Sequence, residues 1–182
     1  MPGMESVGPR LPQVARRAIE QWLRGEMIDG FDAPGPPRAV FVTLRRAGGG
    51  LRGCIGSLSP SKPGVLGETA HYAVMAASRD PRFPPVSLDE LPGLHVEVSV
   101  LGDEEPIVGI SELDPSLYGV IVRDAAGRRG ILLPGIEGIA DAATQVALAK
   151  KKAGIADGSP VSLSRFRVQK WSDAKVPAQV VL

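Results

Sequence analysis

Cys54 is the only cysteine in a chain of 182 residues, and it lies in Leu51-Arg52-Gly53-Cys54-Ile55-Gly56, flanked by two glycines and two residues after an arginine. A thiol beside a guanidinium is the arrangement that favours a thiolate, the form in which cysteine attacks an electrophile. Side chains alternate along a strand, which predicts that Arg52 and Cys54 share one face while Leu51 and Ile55 share the other. Gly53 and Gly56 leave room for a substrate to approach the backbone. The plainer alternative is an inert, packed thiol, because free cysteine is among the most buried residue types.

Four other residues have types suited to work with that thiol. His71 falls within a helical stretch, and its ring is the usual proton carrier near neutral pH, although a lone helical histidine is more often a surface polar group. Glu97 alternates with valines on a strand and is a second candidate to move protons. Were it to share the face of Arg52, it would pair with the guanidinium and weaken its effect on the thiol. Arg82 and Phe83 stand between Pro81 and Pro84-Pro85, and prolines on both sides hold them in a stiff, extended loop suited to binding. That loop also fits a structural corner, with Asp80 capping a turn, Arg82 paired to a carboxylate and Phe83 plugging the core. As an enzyme, the chain would use Cys54 as nucleophile, Arg52 to favour the thiolate or hold an anionic group, Arg82 to anchor substrate, and His71 or Glu97 as proton carriers. The competing reading is a noncatalytic module that binds a protein or peptide.

The elements that must position these residues are legible from periodicity. Leu11, Val14, Ala15, Ala18, Ile19, Trp22 and Leu23 recur at helical spacing over residues 10–24, and the apolar stripe predicts a helix packed on a sheet. Val40–Arg46, the Gly48-Gly49-Gly50 turn and the cysteine strand predict a β-hairpin. Gly64–Ser78 predicts a second helix with a small apolar side. Leu94–Leu101 alternates as a long strand, and Gly102–Pro106 is a polar break between domains. Short strands are expected at Ile107-Val108, Gly119–Arg123 and Gly130–Leu133, and a late one over Val161–Lys170. A helix capped by Asp141 ends at Lys150-Lys151-Lys152, where the lysines complement the helix dipole. Residues 1–9 read as a frayed tail, and Asp32–Pro37 as a turn-rich loop.

Composition narrows the function classes. Hydrophobic residues make up 43%, enough for a core, but only eight residues are aromatic, so that core is mostly aliphatic. The 22 glycines and 17 prolines mark a loop-rich globular chain. Net charge is +1, and no basic–aromatic platform interrupts it, which argues against nucleic acid as partner. One cysteine and two histidines exclude a disulfide framework and any multi-cysteine or histidine-rich metal site, and no cofactor loop is recognisable. No apolar run reaches the roughly 18 residues of a membrane span, and no signal peptide is visible, which predicts a cytoplasmic protein.

The cysteine hexapeptide resembles the signature of the AMMECR domain family. The resemblance continues in order through Asp80-Pro81-Arg82-Phe83-Pro84-Pro85-Val86, Glu97-Val98-Ser99-Val100-Leu101, Tyr118-Gly119-Val120-Ile121-Val122, Gly130-Ile131-Leu132-Leu133-Pro134 and Lys152-Ala153-Gly154-Ile155. It covers the chain from about residue 10 to the C-terminus. Leu133-Pro134-Gly135-Ile136-Glu137-Gly138 is similar to the bacterial branch known as protein A of the AmmeMemoRadiSam system. Gly135 stands where other members carry glutamine, so no role for that amide carries over.

The resemblance implies an α+β fold of mainly antiparallel sheets with flanking helices, in two unequal subdomains. The larger would be built from both ends of the chain; the residue pattern itself places the smaller, inserted one near residues 104–157, which leaves about 10–103 and 158–182 to the larger. The LRGCIG motif and the Arg82-Phe83 loop would face the cleft between them. The family has no settled activity. Its company implies a Memo-like protein and a radical S-adenosylmethionine protein as partners, and a peptide or small molecule as ligand.

Overall fold

A computed structural model describes residues 3–31, 35–136 and 138–173. Asp32–Pro34 of the turn-rich loop and Glu137 of the Leu133–Gly138 stretch lie outside the described residues. The strands pair antiparallel and are accompanied by three α-helices, so the fold is α+β as the sequence predicts. The chain folds as two compact units, Met1–Val100 with Gln169–Leu182, and Leu101–Val168. The second unit is larger than residues 104–157 because most of the last strand belongs to it.

In the first unit, strand β1 (Val40–Arg46) pairs on one side with β2 (Leu51–Gly56) and on the other with β3 (Leu94–Leu101). Val40, Val42 and Leu44 alternate inward and meet Val96, Val98 and Val100 from β3, all fully buried. Helices α1 (Leu11–Leu23) and α2 (Val65–Ser78) cover that face. The α1 stripe of Leu11, Val14, Ala15, Ala18 and Ile19 is buried as its spacing predicts. The small side of α2, with Ala73, Ala76 and Ala77, lets its backbone lie close to the sheet. A Cβ on Gly53 would stand 2.3 Å from the Ala76 carbonyl oxygen, so the glycine is required by this helix.

Met4 and Gly8 of the expected frayed tail are instead buried. Residues Gly8–Arg10 form a 3-10 turn leading into α1, and Gly8 lies flat against the Trp171 indole. An apolar residue and a ring surface anchor a segment whose Gly/Pro composition shows no periodicity.

The second unit holds β4 (Glu105–Ile107), β5 (Tyr118–Arg123), β6 (Arg129–Leu132), α3 (Ala142–Lys152) and most of β7 (Ser162–Ser172). β5 pairs with β6 and β7, and β7 also pairs with β4. A separate apolar cluster around Val120, Val122, Leu132, Ala149 and Ile155 forms its core. Asp141 caps α3 by accepting from the Thr144 N–H at 2.8 Å, as expected. No helix among the described residues is long and apolar enough to cross a membrane.

Candidate functional site

The register of β1 and β2 decides where the cysteine strand aims its side chains. Thr43 opposes Cys54 and Leu44 opposes Gly53, but Arg45 opposes Leu51. Arg52 is therefore an extra residue, a β-bulge, and the strict alternation that the sequence predicts fails at this point. Cys54, Thr43, Arg45 and Leu51 share the face turned away from the helices. Arg52, as the extra residue, has no partner in this register.

The bulge directs Arg52 into the segment that follows α2. Its side chain is buried, with Nε and Nη2 donating to the two Glu90 carboxylate oxygens, each at 2.9 Å. Nη1 donates to the Pro84 carbonyl at 2.9 Å and Nη2 to that of Pro85 at 3.3 Å. The guanidinium also lies 5.9 Å from the Phe83 ring centre. The bidentate hydrogen bond from Arg52 holds the Glu90 carboxyl down at about 2, helped by the Ser87 N–H. Sequence reasoning offers Glu97 as the arginine's partner. The partner is Glu90, and nothing local marks it, since it lies 38 residues from Arg52.

The bond in the other direction comes from Asp80. Its carboxylate accepts the Cys54 N–H at 2.8 Å and is itself buried. It also accepts the Arg82 N–H at 3.1 Å, Nε at 2.9 Å and Nη2 at 2.7 Å. The Arg82 guanidinium is the main cause that holds the Asp80 carboxyl well below the usual carboxylate range. Arg82 Nη2 reaches the Cys54 carbonyl oxygen at 3.5 Å, so both backbone polar groups of Cys54 on the free edge of β2 face this pair. Phe83, half-buried, has the Arg82 guanidinium 5.6 Å from its ring centre. The two stretches that carry the chemistry-bearing residues are thus joined reciprocally. A side chain of β2 holds loop carbonyls, and a loop carboxylate holds a β2 N–H.

The thiol itself is half-buried and unbridged. Because the Cys54 N–H points away from β1, the Thr43–Cys54 pair is of the close, non-hydrogen-bonded type. Sγ lies 3.2 Å from the Thr43 hydroxyl oxygen. Sequence reasoning misses Thr43 as a neighbour; its signal, a lone threonine among β1 apolars opposite the cysteine, is readable only once the register is known.

Glu97 opposes Thr43 from β3, so it lies on the same face as Cys54, one strand further. That puts the two backbones about 10 Å apart, from the ~4.8 Å spacing of neighbouring strands. Its carboxylate is 3.7 Å from the Lys170 ammonium. His71 is not brought to the thiol. It is exposed on the side of α2 away from the sheet, whereas Cys54 faces away from α2 altogether. Gly56, like Gly53, is a packing glycine, since its Cβ would lie 2.2 Å from the Val40 carbonyl oxygen.

Glu68 is a further buried carboxylate that the sequence does not single out. It accepts the Ser57 hydroxyl at 2.8 Å, the Ser61 N–H and hydroxyl at 2.9 Å and the Lys62 N–H at 2.8 Å, fixing the loop that leaves β2. An acidic residue in an otherwise apolar helix face is the signal it left. Among the described residues no three histidine, cysteine or carboxylate side chains gather to hold a metal ion.

An antiparallel α+β chain with its cysteine on a braced edge strand is the class that fold and site define. The AMMECR1 family model matches residues 12–171, and the chain belongs to the AMMECR1 family. It is similar to a protein of Thermotoga maritima, 45% identical over 164 residues that span 86% of this chain and 94% of the relative. A Clostridium acetobutylicum protein is 34% identical across 89% of this chain, which spans only 36% of that relative's length. The crystal structure of an uncharacterised protein from Pyrococcus horikoshii superposes with a TM-score of 0.77 at 34% identity, covering 91% of this chain and 90% of that one.

Proposed function

We propose that the chain is a noncatalytic binding module, and that the platform of Cys54, Arg82 and Phe83 takes an extended peptide or a small molecule. The observation that supports this reading is the reciprocal bonding of β2 to the Asp80–Glu90 segment. It commits Arg52 to Glu90 and two proline carbonyls, and it leaves the Cys54 sulfur beside a hydroxyl with no base in contact among the described residues. A nucleophile needs a base within hydrogen-bond reach or a free cation beside it. A recognition surface needs rigidity and exposed, varied groups, and here Arg82 keeps 54% of its side chain exposed on a loop stiffened by prolines. Arg52 with Glu90, and Arg82 with Asp80, are each neutralised, so the surface suits a neutral segment better than a strongly acidic one.

The ligand would be delivered to or received from a Memo-like protein and a radical S-adenosylmethionine protein, in a reducing cytoplasm that keeps Cys54 a thiol. The test is hydrogen exchange on the chain mixed with those two proteins and the material that co-purifies with them. Slowed exchange confined to residues 51–56 and 80–86 is expected. Binding with no protection there would overturn the assignment. One observation favours a cysteine-centred enzyme instead: the sulfur is only half-buried. In that case Cys54 would be the nucleophile, and its reactivity separates the two readings.

A further inference from the structure

The first unit contains a cavity of about 700 Å³ on the outer side of α2, whose lining includes Arg79 and Pro85 but not Cys54, Arg82 or Phe83. Trp22, Ile28 and Phe31 give it an apolar wall, and Ile28 is still 42% exposed. The size is that of a site for a small organic ligand. Its charged lining is unbalanced. Among the described residues, Lys62 and Arg79 line it against a single acid, Asp29, which leaves one positive charge in excess. Among the described residues, the Lys62 ammonium and the Arg79 guanidinium make no ion pair or hydrogen bond, although nearly every other arginine in this unit is engaged. An excess of positive charge beside an aromatic wall forms a site whose missing element is an anion.

From this charge pattern we infer a second ligand site, which binds a small organic anion, a carboxylate or phosphate carried on an apolar body. The body lies against Trp22, Ile28 and Phe31, and the anionic head meets Arg79 or Lys62, which stand beyond opposite ends of α2. A charge-assisted hydrogen bond to either cation is stronger than a neutral one. The bond should therefore discriminate about tenfold or more between an anion and a neutral ligand of the same shape, from the ~1.5–3 kcal/mol of a bond to a charged group.

The full-length protein is titrated calorimetrically with octanoate, octyl phosphate and neutral octanamide. In parallel, Trp22 emission is followed in a Trp171→Phe background. Saturable binding of either anion is expected, at least about tenfold tighter than octanamide, with a change in Trp22 emission; whichever anion binds tighter identifies the head group. Arg79→Gln or Lys62→Gln, whichever removes the cation that the head meets, should weaken the anion severalfold and leave octanamide unchanged. Gly67→Leu should block both ligands by filling the cavity, because a Cβ there meets only ordinary contacts at 3.6 Å and beyond. The inference is overturned if octanamide binds as well as the anions, if no ligand saturates, or if the Lys62→Gln/Arg79→Gln double variant keeps its affinity.

Discussion

Arg52 looks like a catalytic accessory in the sequence and is a structural bolt in the fold. Its side chain is 3% exposed and its carboxylate partner 35%. Removing one member of a buried, hydrogen-bonded pair is costly, and the remaining solvent access of Glu90 moderates the loss. Arg52→Ala should therefore lower unfolding free energy by about 2–4 kcal/mol in a urea titration, and Arg52→Lys should recover only part of it, because an ammonium cannot make the fork to Glu90. A change within about 0.5 kcal/mol would mean the pair contributes nothing.

The same pair sets a pH dependence. The Glu90 carboxyl is lowered from 4.5 to about 2, so it binds fewer protons folded than unfolded. Its contribution is present above the unfolded value and is lost as pH falls from about 4.5 through about 2. Stability measured over that window should fall steeply, and Glu90→Gln should flatten part of the slope. Glu104 in the second unit, also held at about 2 chiefly by Arg123, together with Asp80, keeps the remainder. An identical slope in Glu90→Gln would contradict the assignment.

At the scale of elements, the sequence is most informative where one periodicity runs undisturbed. The α1 stripe, the β1 and β3 alternations and the Asp141 cap are local signals, and each element forms where its residues say. The bulge at Arg52 is not legible, because an extra residue leaves no trace in a hexapeptide that also scans as a plain strand. It brings Leu51 onto the face of Cys54. Partner choice is hidden for a related reason: Glu90 and Asp80 meet β2 only through the path of the chain after α2. Gly53 and Gly56 are legible as glycines that something must approach closely; what approaches is the chain's own backbone.

Gly53→Ala should consequently disrupt the α2–sheet contact, since a 2.3 Å approach to the Ala76 oxygen forces backbone to move. A loss of about 1–3 kcal/mol is expected, the usual cost of overpacking, with faster amide exchange in α2 and β2 together. Tolerance of alanine with unchanged exchange would show that the helix does not press on the strand at this glycine.

For the whole molecule, the chain forms two compact units with separate cores, and local opening belongs to the loops within each unit. In the second unit the Lys150 ammonium donates to the carbonyls of Asp157 at 2.7 Å and Ser159 at 2.8 Å. That lysine reads in sequence as one of three complementing a helix end, and the structure gives it a tie to the loop as well. Lys150→Met keeps the stem and removes the donors, and limited subtilisin digestion should then cut at residues 156–160 severalfold faster than in the parent. Unchanged cleavage would mean the tie does not hold the loop.

The claim that binding rather than covalent chemistry is the business of the Cys54 platform can be tested on one thiol. The rate of iodoacetamide alkylation of native Cys54 is measured from pH 6 to 9, in the parent and in Arg52→Lys. With the Arg52 guanidinium committed to Glu90, Pro84 and Pro85, and the sulfur half-buried beside Thr43, alkylation should be no faster than that of a cysteine peptide at every pH, and Arg52→Lys should not slow it. Alkylation at pH 6 to 7 tenfold or more above the peptide, lost in Arg52→Lys while the fold is retained, would contradict the account and make Cys54 a nucleophile.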